Sequence, residues 1–321
     1  PEQALLSGSD INIELTPVYG EYAIQAQGLL TAERHAWRLQ DWTVSYQDIT
    51  AQLDGRLARG SDAPTELSVK AAGPGLAFLD PKLADIPLDI AFIARLETEL
   101  LVLDSIAAKL GKSDLSGSLQ VGFTEKTAIS GKLHSNYIDL TPLARDQGEQ
   151  ANGQPSQGEE QDTTGQELVF SDEPLPFETL HSIDLDLHTQ IDKLVYRNAA
   201  AKEFATHIEL KSGNLQVHHS GSGPDGGRAN STLTLATSEQ SANLDIDIRM
   251  RDLRLNLVSG EVQDPNQIPP ISMTFDFKSE GNSAHALASS ATGRILLTQG
   301  AGLVENKLTA MIGGDVFSTL F

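Results

Sequence analysis

The sequence predicts a mainly β protein of extended, antiparallel, amphipathic strands, with one or two short helices near the C-terminus. Three observations carry this reading: strict apolar/polar alternation in many short runs, turn-forming residues between them, and scarce helical periodicity. Leu244-Asp-Ile246-Asp-Ile248-Arg-Met250 and Ile271-Ser-Met273-Thr-Phe275-Asp-Phe277 are the clearest runs. A period of two places their apolar side chains on one face and most of their charges on the other. One dry and one wet face argues for antiparallel pairing, because parallel strands covered on both sides read as continuous Val/Ile/Leu.

The same alternation recurs at Ile11 to Leu15, Leu67 to Val69, Leu88 to Phe92, Leu119 to Phe123, Ile183 to Leu187, Leu233 to Leu235 and Ile295 to Leu297. Turn signals fall at Asp54-Gly55, Gly73-Pro74-Gly75, 221–227 and Pro269-Pro270. The Ala-rich stretch 283–290 reads as a helix entered from Asn282, and a second helix is expected from near Asn306, broken at Gly313-Gly314. Leu100 to Leu110 fits neither period cleanly and reads as strand, turn, strand.

Composition limits the partners. The 321 residues carry a net charge of −21, which disfavours nucleic acid and anionic membrane surfaces. There is no cysteine, so disulfides, zinc-thiolate sites and thiol nucleophiles are excluded together. No apolar run is long enough for a transmembrane helix, and Pro1 and Phe321 read as cut ends of a longer protein.

Three stretches repeat a layout of strand, polar corner, strand and small turn. Their corners and glycines are Asp41 with Gly55, Asp104 with Gly117, and Asn198 with Gly213, at separations of 14, 13 and 15 residues. Such a repeat implies a stack of β units rather than one closed globule. The Gln/Gly/acid-rich segment 146–167 has almost nothing to bury and is expected to be a disordered insert. It divides the chain into β repeats over 1–145 and a second β segment over 168–321.

Motifs for chemistry are weak. Gly221-Ser-Gly223-Pro-Asp-Gly226 has the spacing of a dinucleotide loop, but Pro224 interrupts it and a strand pattern follows where a helix is needed. Asp184/Asp186 and Asp245/Asp247 pair carboxylates on one strand face, a pattern open to glycosidase chemistry but read as the solvated face of amphipathic strands. The eight histidines show no metal-ligand spacing, and no nucleophile elbow is present. No catalytic residue, metal site or cofactor is expected, and the chain is not read as an enzyme.

Several signatures, in order, resemble the AsmA family of bacterial envelope proteins, related to the TamB-like bridge-like lipid transfer proteins. They are Leu110-Gly-Lys-Ser113-Asp114-Leu-Ser-Gly117-Ser-Leu119 with Gly131-Lys-Leu133-His-Ser-Asn136-Tyr-Ile138-Asp139-Leu-Thr-Pro-Leu143, then Phe170-Ser-Asp172-Glu-Pro174-Leu-Pro176 through Gly213-Asn-Leu215-Gln-Val217. The last is Gly281-Asn-Ser283 to Leu287, with Gly293-Arg-Ile295-Leu-Leu297 and Gly300-Ala-Gly302-Leu303. The resemblance covers roughly residue 88 to the end. It implies a periplasmic region anchored to the inner membrane by an N-terminal helix outside this chain, with membrane contact made through such outside regions. It also implies a curved, open, taco-like β groove serving phospholipid transport and outer-membrane integrity. The family supplies no catalytic residues to carry over.

A groove of amphipathic strands would shelter acyl chains on its apolar face and leave head groups in water. Leu185, Leu187, Ile246, Ile248, Met250, Met273, Phe275 and Phe277 are the candidates for that face. The expected partners are phospholipid acyl chains, with other envelope proteins as further candidates. Two other readings stay open on the residues alone: a structural or adhesive β module without lipid binding, and a carbohydrate-active β protein using a carboxylate pair.

Overall fold

The computed structural model describes residues 9–15, 24–60, 64–76, 81–143, 171–196, 199–223, 226–238, 241–254 and 269–301. The strands of the first half are β1 (Ser9–Leu15), β2 (Ile24–Ala32), β3 (Ala36–Tyr46), β4 (Ile49–Ala58), β5 (Thr65–Gly73), β6 (Leu88–Leu96), β7 (Leu100–Leu110), β8 (Ser113–Phe123), β9 (Thr127–Ser135) and β10 (Ile138–Asp139). A helix, α1 (Phe177–Ser182), leads into β11 (Ile183–Tyr196), β12 (Ala199–Lys211), β13 (Asn214–Ser222), β14 (Arg228–Thr237), β15 (Ala242–Leu253) and β16 (Ile271–Gly281). After α2 (Ala284–Ser289), β17 (Thr292–Gln299) completes the set.

All of these strands join one sheet. Consecutive strands pair antiparallel from β1 through β9 and again from β11 through β17. The two meanders meet at a parallel joint, where β11 lies beside β9 and, further along, beside β10. Parallel neighbours require the chain to return to the starting rim, and the return includes the segment expected to be an insert, which lies outside the described residues. The sheet is open and unclosed, as the fold class predicts.

Among the described residues no second sheet packs on it; the short helices α1 and α2 pack against β11 and β16. The buried apolar residues there are Ala32, Ala36, Leu39, Trp42, Ile106, Phe177, Ile191, Leu210, Ala242 and Leu253, far too few for a packed interior. Trp42 is fixed by its indole N–H, which donates to the Leu29 carbonyl at 3.0 Å. A Cβ on Gly28 would lie 2.4 Å from that ring, so glycine is required beside it.

Bulges bend the sheet. The register shifts at Gln27/Leu29, Leu39/Trp42, Ala91/Ile93, Leu103/Ile106, Lys202/Ala205 and Met250/Leu253. Four bulges account for all six, because those on β3 and β7 each shift the pairing with both neighbouring strands; Asp41, Ser105, Glu203 and Asp252 occupy them with φ of 53°, 53°, 51° and 52°. Extra residues of this kind increase twist and curl the strands. The Asp41 amide donates to Asp54 Oδ1 at 2.8 Å, and that of Asp252 to Ser272 Oγ at 3.0 Å, so a side chain from the facing strand takes up the donor each bulge displaces.

These geometries correct several expectations. Asp54-Gly55 is not a turn but the middle of β4, facing the β3 bulge. Leu100 to Leu110 is one continuous strand, and its expected turn is the bulge at Asp104 and Ser105. The first two repeat units each set their glycine beside a bulge, but on opposite sides of it: Gly55 opposes Leu39 before the β3 bulge, and Gly117 opposes Ile106 after the β7 bulge. The third differs, since Gly213 lies in the β12/β13 hairpin at φ 81°. The glycine facing the β12 bulge is Gly221, between the pairs Lys202/Ser222 and Ala205/Ser220. Asn198 and the helix expected from Asn306 lie outside the described residues. The helix at 283–290 is present as α2, with Ser283 rather than Asn282 as its cap: Ser283 Oγ accepts from the Ala286 amide at 3.0 Å. Helix α1 has no counterpart in the sequence reading.

Both rims are pinned by hydrogen bonds. On one, Asp114 accepts from the Tyr137 amide at 2.8 Å, the Asn136 side chain at 2.5 Å, and the Asn136 amide and Ser135 hydroxyl at 3.3 Å each. Ser113 Oγ accepts from the Asp139 amide and Asp139 Oδ1 from the Thr141 amide, which sets β10 beside β11. On the other rim, the segment 171–176 runs past the strand ends to β16 and α2, where Leu175 N–H donates to Asn282 and His285 N–H to Ser171.

Burial alone would raise the Asp114 pKa, but these four hydrogen bonds outweigh it and hold the carboxyl below its ordinary 3.8. A group lowered in the folded state stabilises above its unfolded pKa and loses that contribution as pH falls through the folded value. Asp114→Asn is therefore expected to destabilise at pH 7 by about 1–2 kcal/mol. The gap from the parent should close only below pH 3.8. Urea melts of both proteins at pH 7 and pH 3 check this.

Candidate functional site

The cross-strand register assembles the alternating residues into continuous rows. One row begins at Leu30 on β2 and passes through Leu39, Gly55, Leu67, Ala94, Leu103 and Leu119 to Gly131 on β9. It crosses the parallel joint to Leu187 and continues through Ile208, Val217, Leu233, Ile246 and Phe277 to Gly293 on β17. Every member is aliphatic, aromatic or glycine. At about 4.8 Å per strand the row is roughly 65 Å long. A second row, from Leu101 through Val121, Ile129, Leu185, Leu210, Leu215 and Leu235 to Leu244, runs beside its central part and ends at Ser279.

The eight residues singled out from the sequence all fall on this face and all are half-buried. Six form three directly opposed pairs between β15 and β16: Ile246 with Phe277, Ile248 with Phe275, and Met250 with Met273. The Phe275 and Phe277 rings stack with centroids 5.8 Å apart. Leu187 lies on β11 in the row that reaches Ile246 and Phe277, and Leu185 lies in the row beside it. Half-burial is what a single-layer sheet produces, since lateral neighbours cover the sides of each side chain.

A polar window interrupts the face. In the row next to Leu187, the chain of partners Leu133, Thr189, Thr206, His219, Ser231, Ile248 and Phe275 is polar across β11 to β14 and apolar on either side. His219 Nδ1 lies 2.7 Å from Thr206 Oγ1, and its ring stacks on Phe204 at 5.5 Å. Burial pushes the His219 pKa down, which favours a neutral imidazole.

The opposite face is charged and internally compensated. Asp247 and Asp276 oppose each other directly, and Arg249 reaches both, at 2.5 and 3.1 Å. Lys278 bonds Asp245 at 2.6 Å, and that carboxylate raises the lysine pKa. Asp184 accepts from the Ser212 amide at 3.1 Å, and Asp186 lies 2.9 Å from His207 Nε2. The paired carboxylates thus lie along one wet face and engage neighbours there. Sequence spacing did miss one association: His188 and His207, far apart in the chain, face each other across β11 and β12. The signal that finds it is register, not local spacing.

Among the described residues no helix is long and apolar enough to cross a membrane, which leaves strand-built crossings unaddressed. Searches of curated proteins and of solved structures returned no match. The family model described as AsmA family matches residues 39–316, which takes in nearly the whole sheet from β3 onward. That membership indicates a role related to the cell envelope and lipid transport, in a family not known for enzymatic activity. The long open sheet and the family match agree, and the chain belongs to the AsmA family.

Proposed function

We propose that the apolar face of the open sheet shields phospholipid acyl chains and supports phospholipid movement between inner and outer membranes, and with it outer-membrane assembly and integrity. On this reading the chain lies in the periplasm and is held to the inner membrane by an N-terminal helix outside it. The observation that carries the reading is the apolar row from Leu30 to Gly293, unbroken across the joint between the meanders. Each acyl CH₂ withdrawn from water onto such a face gains about 0.8 kcal/mol, so a chain is held without a specific contact and can slide. The residues of the row are interchangeable in chemistry, which is what movement along it requires.

The polar window offers the neutral His219, Thr189, Thr206 and Ser231 to the ester or glycerol region of a lipid whose tails lie on the flanking apolar rows. Charged residues on the opposite face serve solubility and limit edge-to-edge association. The reading is tested by purifying the chain from a bacterial periplasm without detergent and extracting it for lipid mass spectrometry. Phospholipid in stoichiometric or higher amount is expected. Lipid-free protein that also fails to take up fluorescent phospholipid from vesicles would contradict it.

A further inference from the structure

We propose that Asp186, His188 and His207 form a binding site for a divalent transition ion of the zinc type on the polar face of the sheet. The ligand atoms of the three residues all lie within 4.8 Å of one another. The two imidazoles are stacked, with centroids 3.9 Å apart and planes 11° apart. Both Nε2 atoms converge on the same carboxylate oxygen: Asp186 Oδ1 is 3.3 Å from His188 and 2.9 Å from His207.

The backbone fixes this convergence. His188 and His207 are directly opposed across β11 and β12, and Asp186 shares their face two residues before His188. Opposed side chains start about 5 Å apart at Cβ, which brings two imidazole tips within reach of one ion. Donors bound at about 2.0–2.1 Å in a tetrahedral shell lie about 3.3 Å from one another, close to the two distances from Asp186 Oδ1 to the imidazole nitrogens. Imidazole nitrogen with one carboxylate oxygen is a donor set for Zn²⁺ or its neighbours rather than for Mg²⁺ or Ca²⁺, which prefer oxygen throughout. Three protein donors leave at least one position open to water or to a donor from a partner.

The location gives the site a structural consequence. Lys132 of β9 opposes His188 across the parallel joint, so the ion would clamp β11 to β12 one strand from the place where the two meanders meet. The site lies on the face opposite the apolar rows, so it stands or falls independently of lipid binding.

The test uses the chain without an affinity histidine tag, stripped with a chelator and titrated with Zn²⁺ against a chromophoric competitor. Saturable one-to-one binding is expected, and Co²⁺ in its place should give visible absorption bands of a low-symmetry, nitrogen-containing site. His188→Ala and His207→Ala should each weaken Zn²⁺ binding by about tenfold or more, and Asp186→Asn should weaken it too. His285→Ala, on α2, should bind as the parent does. These side chains are on the wet face and their loss leaves the strands paired, which circular dichroism verifies. Absence of saturable Zn²⁺ binding, or unchanged affinity in a His188→Ala/His207→Ala double variant, would overturn the proposal.

Discussion

Phe277→Asp is expected to reduce phospholipid captured by the purified chain at least about tenfold while leaving a soluble, β-rich protein. Phe277 is half-buried, stacks on Phe275 and opposes Ile246 in the long apolar row. A carboxylate there stays hydrated when the face is bare but would have to be desolvated, or the acyl chain displaced, when a lipid covers it. The cost of an unpaired charge under hydrocarbon is several kcal/mol, whereas loss of one half-covered ring costs the fold about 1–2 kcal/mol. Function and stability should therefore separate. Asp276→Asn, on the neighbouring wet position, should leave capture unchanged. If Phe277→Asp unfolds the chain, the ring belongs to a core and the open-face account is wrong.

Gly117→Ala is expected to be among the most destabilising small substitutions in the sheet, costing about 4 kcal/mol or more or preventing folding. Gly117 has φ of 143°, and a Cβ would stand 2.1 Å from the Lys132 carbonyl oxygen and 3.0 Å from Leu133 Cα. Both obstacles are backbone of the adjoining strand, so no side chain can move aside, and the β8/β9 ladder itself would have to part. Gly55 meets the same geometry: φ 147°, with a Cβ 2.1 Å from the Glu66 carbonyl oxygen. The two glycines share this close approach to the next strand, so Gly55→Ala should behave alike. Gly60→Ala is the control, because nothing lies within 4 Å of its Cβ position although φ is 121°. Its cost should be limited to backbone strain of about 1 kcal/mol. Thermal melts of the three variants decide the matter, and near-equal losses would contradict the close-approach argument.

The individual strands were legible in the sequence because each carries its own alternation, and parity fixes which face the eight apolar candidates share. What misled the reading was any feature that breaks parity without ending a strand. At Asp104 and Ser105 the bulge adds a residue to one strand alone, so the apolar period slips while pairing continues. Asp54-Gly55 looks like a turn for a related reason: the aspartate takes the bulge amide and the glycine admits the neighbouring backbone. The parallel joint between β9 and β11 was hidden because it depends on where the chain returns, not on any local pattern.

The AsmA-like signature around Ser113-Asp114 and Asn136 to Thr141 also acquires a physical meaning. These polar residues accept one another's amides and hydroxyls at the rim where β8, β9 and β10 converge. The long row and the metal-ligating cluster share a different origin. Both are products of register summed across strands, and no window of the sequence contains either one.

Photo-crosslinking on the two faces of one strand tests the central claim most directly. A photoreactive amino acid placed at Ile246 or Phe275, on the apolar face, should give phospholipid adducts in living cells, detected by mass spectrometry. The same group at Asp245 or Asp247, one residue away but on the wet face, should give none. Adducts from both faces alike, or no phospholipid adduct from Ile246 and Phe275, would contradict the account.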